Sequence, residues 1–586
     1  MKAFKHFLRK YSTKKNRKNI IGELTNQSSL KLREVVKPKL LLLGTCQAER
    51  LYETAQTLDW QITHQLCDFN LYTYINNLDS NTDMVLLNPT LRVILGLADA
   101  NGNGDILIKQ LAEDYQTFTN KAVESLNNLL SRYIDHYNTA TPVCVISFIE
   151  PPPTASGFAY RNRHNSVYTL IRTLNDELES LCHTKKNTYY LEVNDIRTLM
   201  GDRLAYDGYQ INYTHASYYA SRARTHHLNQ ALLQRIENYW RIINQIDPIK
   251  LIITDLDNTL WQGVLAEQDS IESWRHTEGW PLGYAEALLQ CKQRGILLAI
   301  CSKNNEAQTL VNFRTIWRTR ITPEDFCSIQ INWDSKANNV AKILRETNIL
   351  PQNILFIDDN PLEIAEVKQA FPSIRTLTIP QGAWRAVLLY STETQMSNAL
   401  TDESKQRTAL IRAKKSRDSD SLTMPRDEFL VSLKLELSSK KIHNINHKSF
   451  ERAIELLNKT NQFNSTGKRW SIAEISEFLK TDGLVMTFSA KDRFAEHGII
   501  AVILLKDCII EQFVLSCRVF GLGIEQSIIY QLNTEQFHPN KLKIYWRETD
   551  KNHSFLSFIK TLPIENNVIN TQQLTKPNWI RIKYDT

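Results

Sequence analysis

The hydrophobic positions of the chain form three successive blocks of short apolar runs, separated by polar and helix-like stretches. In the first block, apolar runs lie at 39–43, 84–87 and 143–149, with a helix-like stretch at 105–137. Strands that alternate with helices are typical of an α/β domain with a parallel sheet. We therefore predict such a domain over residues 38–245.

The second block begins near Ile249 and has three apolar runs, at 251–253, 296–301 and 354–357. Each run is short, rich in β-branched residues and followed at once by polar residues, which is typical of buried parallel strands. This pattern predicts a second α/β domain over residues 246–383.

The third block follows a polar, charged stretch at 384–434, which we interpret as a linker with a helix around 402–416. The remaining residues, 435–586, are predicted to form an α+β domain. Its predicted strands lie at 433–437, 484–488, 499–505 and 509–515, and its predicted helices at 449–459, 471–480 and 524–532. The fold class is therefore multidomain α/β, with a parallel sheet in the centre.

Composition narrows the class of protein. The 586 residues are 42% hydrophobic, which is enough for several cores. No apolar run approaches the about 18 residues of a membrane-spanning helix. Nine cysteines are scattered along the chain without a secretory hydrophobic region, so we expect free thiols and a cytoplasmic location.

The positive charge is concentrated in the first residues, 1–37, which we interpret as a basic tail. Residues 1–20 hold eight basic residues and no acidic one, and removing them from the net charge of +7 leaves −1 on the rest. The body of the protein therefore gives no reason to expect specific nucleic-acid binding. A solvated tail, a contact with anionic lipid or RNA, and an organelle transit peptide all remain open.

Polar residues that suit phosphoryl transfer follow the strands of the second block. Asp255 and Asp257 come directly after a predicted strand, so that one carboxylate can attack phosphorus while the other moves a proton. Carboxylates also suit Mg²⁺, and a phosphate needs donors and a positive charge. The further members of this set, in chain order, are Ser302, Lys336, Asp358 and Asp359.

These motifs, in this order, resemble the phosphotransferases of the haloacid dehalogenase (HAD) superfamily. The resemblance implies that Asp255 is the nucleophile, that Asp257 is the general acid/base, and that Ser302 and Lys336 stabilise the transferred group. It also implies that Mg²⁺ is held by Asp255, Asp257, Asp358 and Asp359, with Asp257 contributing its backbone carbonyl.

The wider motifs at 255–265, 301–304 and 356–361 are similar to those of the FkbH-like proteins of subfamily HAD-IIIC. That family usually has Trp-Gly-Gly where this chain has Gln262 as the middle residue. The resemblance implies dephosphorylation of 1,3-bisphosphoglycerate and loading of the glyceryl unit on an acyl carrier protein, in polyketide-type biosynthesis. Fewer than 40 residues separate Gly263 from the second strand end, so a large cap domain does not fit there.

In the last domain, the pattern Arg518-x-x-Gly521-x-Gly523 lies between a predicted strand and a predicted helix. Such a loop presents backbone N–H groups to a phosphate. It is similar to the loop with which GNAT-type acyltransferases hold coenzyme A. The resemblance implies a GNAT-like domain that binds phosphopantetheine or coenzyme A. An acyl intermediate would need a thiol, for which Cys301 and Cys517 are the candidates.

The first domain is similar to SGNH hydrolases, which often precede the FkbH-like region. Gly44-Thr45-Cys46 stands where that family has Gly-Asp-Ser, and Asn212 and His215 stand where it has Asp and His. The altered residues argue against a Ser-His-Asp hydrolase. Two other functions remain open for the whole chain: a small-molecule phosphatase with a separate acyl-CoA transferase domain, and a non-catalytic scaffold.

Overall fold

A computed structural model describes residues 30, 36–67, 82–96, 107, 111, 114–138, 141–152, 165–206, 222–265, 272–395, 407–421, 423–534, 542–565, 567–570 and 573–583. These residues form two compact units, one within Glu34–Trp240 and the other within Arg241–Thr586 together with Leu30. The fold is multidomain α/β, as predicted.

The first unit is built on a five-stranded parallel sheet with the order β2-β1-β3-β4-β5. The strands are β1 (Leu40–Gly44), β2 (Ile62–Leu66), β3 (Met84–Asn88), β4 (Val143–Ile146) and β5 (Thr188–Leu191). The helices are α1 (Glu49–Gln56), α2 (Leu91–Ile94), α3 (Tyr115–Tyr137), α4 (Val167–Thr184), α5 (Val193–Met200), α6 (Asp202–Ala205) and α7 (Arg222–Ile243), which crosses into the second unit.

Side-chain hydrogen bonds mark the start of α3 and the end of β4, and β4 is shorter than the apolar run at 143–149. The regular part of α3 begins at Tyr115 because the carboxylate of Asp114 accepts from the N–H of Thr117 as an N-cap. Strand β4 ends at Ile146 because the side chain of Asn175, rather than a neighbouring strand, then bonds the backbone of Phe148. Its Oδ1 accepts from the N–H of Phe148 at 2.9 Å, and its Nδ2 donates to the carbonyl of Phe148 at 3.0 Å.

The centre of the second unit is another five-stranded parallel sheet, with the order β10-β9-β6-β7-β8. The strands are β6 (Leu251–Thr254), β7 (Leu297–Ser302), β8 (Ser328–Ile331), β9 (Ile354–Ile357) and β10 (Arg375–Thr376). The helices are α8 (Ser273–Thr277), α9 (Trp280–Gln293), α10 (Glu306–Trp317), α11 (Lys336–Thr347), α12 (Pro361–Ala370) and α13 (Gln381–Tyr390). Separate apolar clusters cover the two faces of this sheet, as a doubly wound fold requires.

The stretch predicted as a linker is more structured than expected. Its first residues lie in α13, and Trp384 and Leu388 are buried in the core of the central sheet. The predicted boundary at residue 383 therefore divides a helix. Two more helices follow, α14 (Arg407–Asp420) and α15 (Arg426–Ser432).

The C-terminal part has an eight-stranded mixed sheet with the order β16-β17-β15-β14-β13-β12-β11-β18. Its strands are β11 (Leu435–Ile442), β12 (Leu484–Lys491), β13 (Glu496–Lys506), β14 (Ile509–Leu515), β15 (Lys543–Ile544), β16 (Ile564–Glu565), β17 (Val568–Ile569) and β18 (Ile580–Lys583). Its helices are α16 (Phe450–Lys459), α17 (Ile472–Lys480), α18 (Ile524–Thr534) and α19 (His553–Ile559).

Two expectations from composition concern the membrane and the thiols. Among the described residues, no helix has the length and apolar character that crossing a bilayer requires. All nine cysteines are free thiols.

Candidate active site

The carboxylates of the central sheet meet where the strand order reverses. Asp255 follows β6 and Asp358 follows β9, and these strands are paired so that Thr254 lies beside Ile357. Ligands of doubly wound folds bind outside the carboxyl ends of the strands at such a switch point. One carboxylate oxygen each from Asp255, Asp358 and Asp359 lies within 4.8 Å of the others, in a cluster that we call the carboxylate cluster.

Lys336, the first residue of α11, supplies the positive charge of the cluster. Its Nζ lies 2.9 Å from Asp255 Oδ1 and 2.5 Å from Asp358 Oδ2. Lys336, Asp255 and Asp358 are all buried. A buried charge is tolerated only when it is paired, so this arrangement holds both carboxylates in fixed positions.

Burial controls the acidity of these groups. Burial raises the pKa of Asp255, the Lys336 charge lowers it and the Asp358 charge raises it again, to about 6 overall. Burial likewise raises the pKa of Asp358 and of Asp359. Burial alone would lower the pKa of Lys336, but the charges of Asp255 and Asp358 outweigh it and raise that pKa. One lysine thus faces three carboxyls that are reluctant to ionise, which favours a further cation.

Mg²⁺ fits this cluster. Magnesium binds oxygen ligands, usually one or two carboxylates together with substrate phosphate. Three carboxylates from two adjacent strand ends provide such oxygens. Asp255, Asp358 and Asp359 are the residues that would hold the ion.

The carboxylate of Asp257 has a different environment. Its Oδ1 accepts from the indole N–H of Trp261 at 2.7 Å and from the N–H of Leu265 at 3.3 Å. Its Oδ2 accepts from the amide of Asn304 at 2.9 Å. It is therefore oriented by three donors and lies outside the carboxylate cluster, and the implied metal contact through the backbone carbonyl of Asp257 stays a prediction.

Asn304 connects Asp257 to the end of β7. Its amide also donates to the hydroxyl of Ser302 at 3.1 Å, and Ser302 is buried. The structure therefore brings Asp255, Asp257, Ser302 and Lys336 to one edge of the sheet, as the sequence predicts.

The loop after β6 contains two supporting residues that the motif analysis missed. The hydroxyl of Thr259 accepts from the N–H of Asp359 at 3.1 Å, so it holds the exposed member of the cluster. Asn258 has a positive φ of 53°, and its side chain accepts from the N–H of Gly263 at 2.9 Å. Both contacts depend on the fold of the loop, and only the spacing to Asp255 could have indicated them.

The Cys301 thiol is not directed towards the carboxylate cluster. It lies in the apolar layer with Ala299 and Val340, is fully buried, and donates to the carbonyl of Lys336 at 3.8 Å. Successive residues of a strand face opposite sides, so Cys301 and Ser302 point apart. Burial also raises the pKa of this thiol. These surroundings do not favour the predicted role as a nucleophile.

The loop between β14 and α18 has the backbone conformation expected of a glycine motif. Gly521 and Gly523 have φ values of 75° and 79°. The guanidinium of Arg426 donates to the Gly521 carbonyl at 3.0 Å, and the indole of Trp579 donates to the Leu522 carbonyl at 2.9 Å. No acceptor is found among the described residues for the N–H groups of residues 521–523. The loop thus binds protein through its carbonyls and leaves N–H groups for another partner.

Arg518 is positioned by buried neighbours. Its Nε donates to the hydroxyl of Ser516 at 3.0 Å, and its carbonyl accepts from Arg417 of α14. Arg417 is itself buried and paired with Asp492 at 3.0 Å. The contact of Arg518 with a phosphate stays a prediction.

Only part of the hydrolase-like site predicted for the first unit lies among the described residues. Gly44 ends β1, and a Cβ at this position would lie 2.6 Å from the Cβ of Ala48, so close packing alone requires glycine. Cys46 is half-buried. Asn212 and His215 lie outside the described residues, so the predicted hydrolase-like set cannot be assembled.

Comparison with known proteins adds the following. The chain matches no protein-family model and no curated protein. Seven chains of solved structures match it. One is the N-terminal, phosphatase-domain part of a Bacteroides fragilis protein in complex with Mg, at 20% identity and TM-score 0.44, covering 65% of this chain and 98% of that one.

Two further solved structures match smaller parts of the chain. The 3-deoxy-D-manno-octulosonate 8-phosphate phosphatase of Moraxella catarrhalis, with magnesium and phosphate ions, has 19% identity and TM-score 0.20, covering 27% of this chain and 92% of that one. A putative platelet activating factor from Streptococcus pneumonia has 17% identity and TM-score 0.21, covering 40% and 99%.

Proposed function

We propose that the central domain is a Mg²⁺-dependent phosphatase or phosphotransferase of the HAD type that acts on a phosphorylated small molecule. The observation that carries this proposal is the carboxylate cluster with Lys336 at the switch point of the central sheet. A carboxylate nucleophile, a fixed cation and an oriented second carboxylate are the groups that phosphoryl transfer needs.

The proposed reaction assigns one task to each residue. A carboxylate oxygen of Asp255 attacks phosphorus, the bond to the leaving oxygen breaks, and an aspartyl phosphate forms. Asp257, held by Trp261 and Asn304, gives a proton to the leaving oxygen and then takes one from the water that hydrolyses the intermediate. Lys336 and the Ser302 hydroxyl stabilise the charge on the phosphoryl oxygens. Mg²⁺, when bound, neutralises charge that the phosphate and carboxylates share.

The test is phosphate release by the full-length protein from a panel of small phosphate esters and acyl phosphates. We expect release that requires Mg²⁺ and stops on chelation. Asp334→Asn, which changes an exposed carboxylate paired with Lys342, is the matched control and should release phosphate at the wild-type rate. Release that persists in excess chelator would contradict the proposal.

We further propose that the substrate is 1,3-bisphosphoglycerate and that the glyceryl unit is loaded as a thioester on an acyl carrier protein. The support is the resemblance of the motifs at 255–265, 301–304 and 356–361 to those of FkbH-like proteins. In this scheme, the loop from Arg518 to Gly523 holds the phosphate of the carrier's phosphopantetheine arm. The half-buried Cys517 beside it is a better candidate for an acyl-carrying thiol than the buried Cys301.

The finer proposal is tested by intact mass. The full-length protein, Mg²⁺, 1,3-bisphosphoglycerate and a phosphopantetheinylated carrier should give a carrier with one added glyceryl group. Phosphate release without any adduct would favour a phosphatase with a separate acyl-CoA transferase domain. Neither release nor adduct would favour a scaffold.

A further inference from the structure

We propose that the ion pair between Lys303 and Glu363 binds the part of the substrate that is not transferred, and that it selects molecules with a second anionic group and a hydroxyl. Lys303 Nζ lies 2.7 Å from Glu363 Oε1. Neither side chain belongs to the set of residues that the motifs assign to phosphoryl transfer. The inference deepens the proposed phosphatase function, on which it rests, by naming the residues that recognise the rest of the substrate.

The order of the strands places this ion pair across the candidate active site. Lys303 directly follows β7, and Glu363 lies in the first turn of α12, after β9. Strand β6 lies between β7 and β9 in the sheet, and Asp255 follows β6. Neighbouring strands are about 4.8 Å apart, so the pair joins segments that leave strands about 10 Å apart. A bridge over that gap passes the end of β6, where the proposed nucleophile lies.

Both partners of the ion pair keep unused hydrogen-bonding capacity. An ammonium group has three donors, and Glu363 is the one acceptor found for Lys303 Nζ among the described residues. Glu363 Oε2 is buried, and no donor to it is found in the described part of the chain. A buried carboxylate oxygen without a donor costs free energy, so this atom favours a ligand that brings a hydroxyl.

The side chain of Lys303 is open to a ligand, unlike that of Lys336. Lys303 is 34% exposed and has one carboxylate partner, whereas Lys336 is 5% exposed and lies between two carboxylates. An anionic group that enters with the substrate therefore gains a charge-assisted hydrogen bond from Lys303. The substrates that fit both partners are phosphorylated hydroxy acids, or hydroxylated molecules with a second phosphate.

The test compares phosphate release by the full-length protein, under saturating Mg²⁺, from three esters with the same carbon skeleton. These are 3-phosphoglycerate, glycerol 3-phosphate, which lacks the carboxylate, and 3-phosphooxypropanoate, which lacks the hydroxyl. We expect the wild-type protein to prefer 3-phosphoglycerate to each analogue by about tenfold in kcat/KM, which is the size of one hydrogen bond to a charged group. The preference for the carboxylate should decrease with added salt, because Lys303 is partly exposed.

Substitutions of the two partners should affect different preferences. Lys303→Met should remove the preference for the carboxylate by raising KM for 3-phosphoglycerate about tenfold at nearly unchanged kcat. Lys303→Arg keeps the charge and should retain that preference. Glu363→Leu removes the acceptor and should abolish the preference for the hydroxyl. The matched control Lys342→Met, which removes an exposed lysine paired with Asp334, should behave as the wild type.

The ratios between substrates separate recognition from a purely structural role of the ion pair. A variant that only folds less well loses activity on all three esters in the same proportion. Equal kcat/KM values for the three esters in the wild type, an unchanged preference in Lys303→Met, or equal losses on all three would overturn the inference. Release from other phosphate esters, but from none of these three, would overturn it and leave the phosphatase proposal in place. No release from any substrate would instead contradict the phosphatase proposal.

Discussion

The two parallel sheets of the molecule have similar architecture but opposite chemistry at their switch points. In the first unit, β1 and β3 diverge beside Gly44 and Asn88, which are paired in register. In the central sheet, β6 and β9 diverge beside Asp255 and Asp358, with Lys336 between them. The backbone therefore offers a ligand crevice twice, and only the central one combines buried carboxylates with a cation among the described residues.

The difference shows that the side chains, rather than the topology, define the site. The cavity at the first switch point has a volume of only about 60 Å³ and is lined by groups such as Gln47, Asn88 and Ser147. Function has to be argued from the residues at the strand ends, because the same fold hosts many functions.

The largest expected effect comes from removing the nucleophile at the central switch point. Asp255→Asn should lower phosphate release by about a thousandfold or more, because an amide cannot form the acyl phosphate. Cys46→Ala, at the corresponding place in the first unit, should leave the rate unchanged. Both rates are measured on the same substrate under saturating Mg²⁺. Equal losses in the two variants would remove the distinction between the two crevices.

The second-largest effect is expected from removing the positive charge of Lys336. Lys336→Met should lower phosphate release by about a hundredfold and destabilise the metal-free protein by about 3–5 kcal/mol, since two buried carboxylates lose their partner. Denaturant unfolding in chelator measures the stability. Lys342→Met, which removes an exposed ion pair on the same helix, should cost less than about 1 kcal/mol. A Lys336 variant as stable as wild type would show that the pair does not hold the site.

A smaller effect should follow from the metal itself. At a hundred times its dissociation constant, Mg²⁺ should stabilise the wild-type fold by about 2.7 kcal/mol. Asp359→Asn should weaken this stabilisation at a fixed Mg²⁺ concentration, because it removes one of the three clustered carboxylates. Thermal unfolding with and without Mg²⁺ is the measurement. Full stabilisation in this variant would exclude Asp359 as a ligand.

The smallest effect is expected at Cys301. Cys301→Ala should keep wild-type phosphate release and cost about 1 kcal/mol of stability, because it empties a little space in the apolar layer. Unfolding and activity are measured on one preparation. A large loss of activity without loss of stability would place the thiol in the reaction after all.

The sequence predicted strands best where they are buried on both faces. The run at β9 was predicted with its observed bounds, since continuous apolar residues mark a central strand. Strand β14 was also predicted with its observed bounds, although Glu511 and Gln512 interrupt its apolar residues. The edge or near-edge strands β2, β5 and β8 were missed, because each mixes polar residues with few apolar ones and gains its stability from neighbours.

The candidate active site, like the strands, could be predicted from the sequence only in part. Spacing predicted that Asp255, Ser302, Lys336 and Asp358 would converge, because parallel strands end at one edge. Spacing could not predict that the Asp257 carboxylate turns to Trp261 and Asn304, or that Cys301 faces the apolar layer. Side-chain orientation depends on the loop after β6 and on which face of β7 a residue occupies.

The central claim, that Asp255 carries the phosphoryl group, is tested most directly by trapping the intermediate. Borohydride reduces an aspartyl phosphate to homoserine, with phosphate as the leaving group. The wild-type protein and Asp257→Asn, in which hydrolysis should be slower, are mixed with Mg²⁺ and an acyl phosphate, reduced and analysed by peptide mass spectrometry. The account predicts homoserine at position 255 and more of it in the variant. Phosphate release without modification at position 255, or with modification elsewhere, would contradict it.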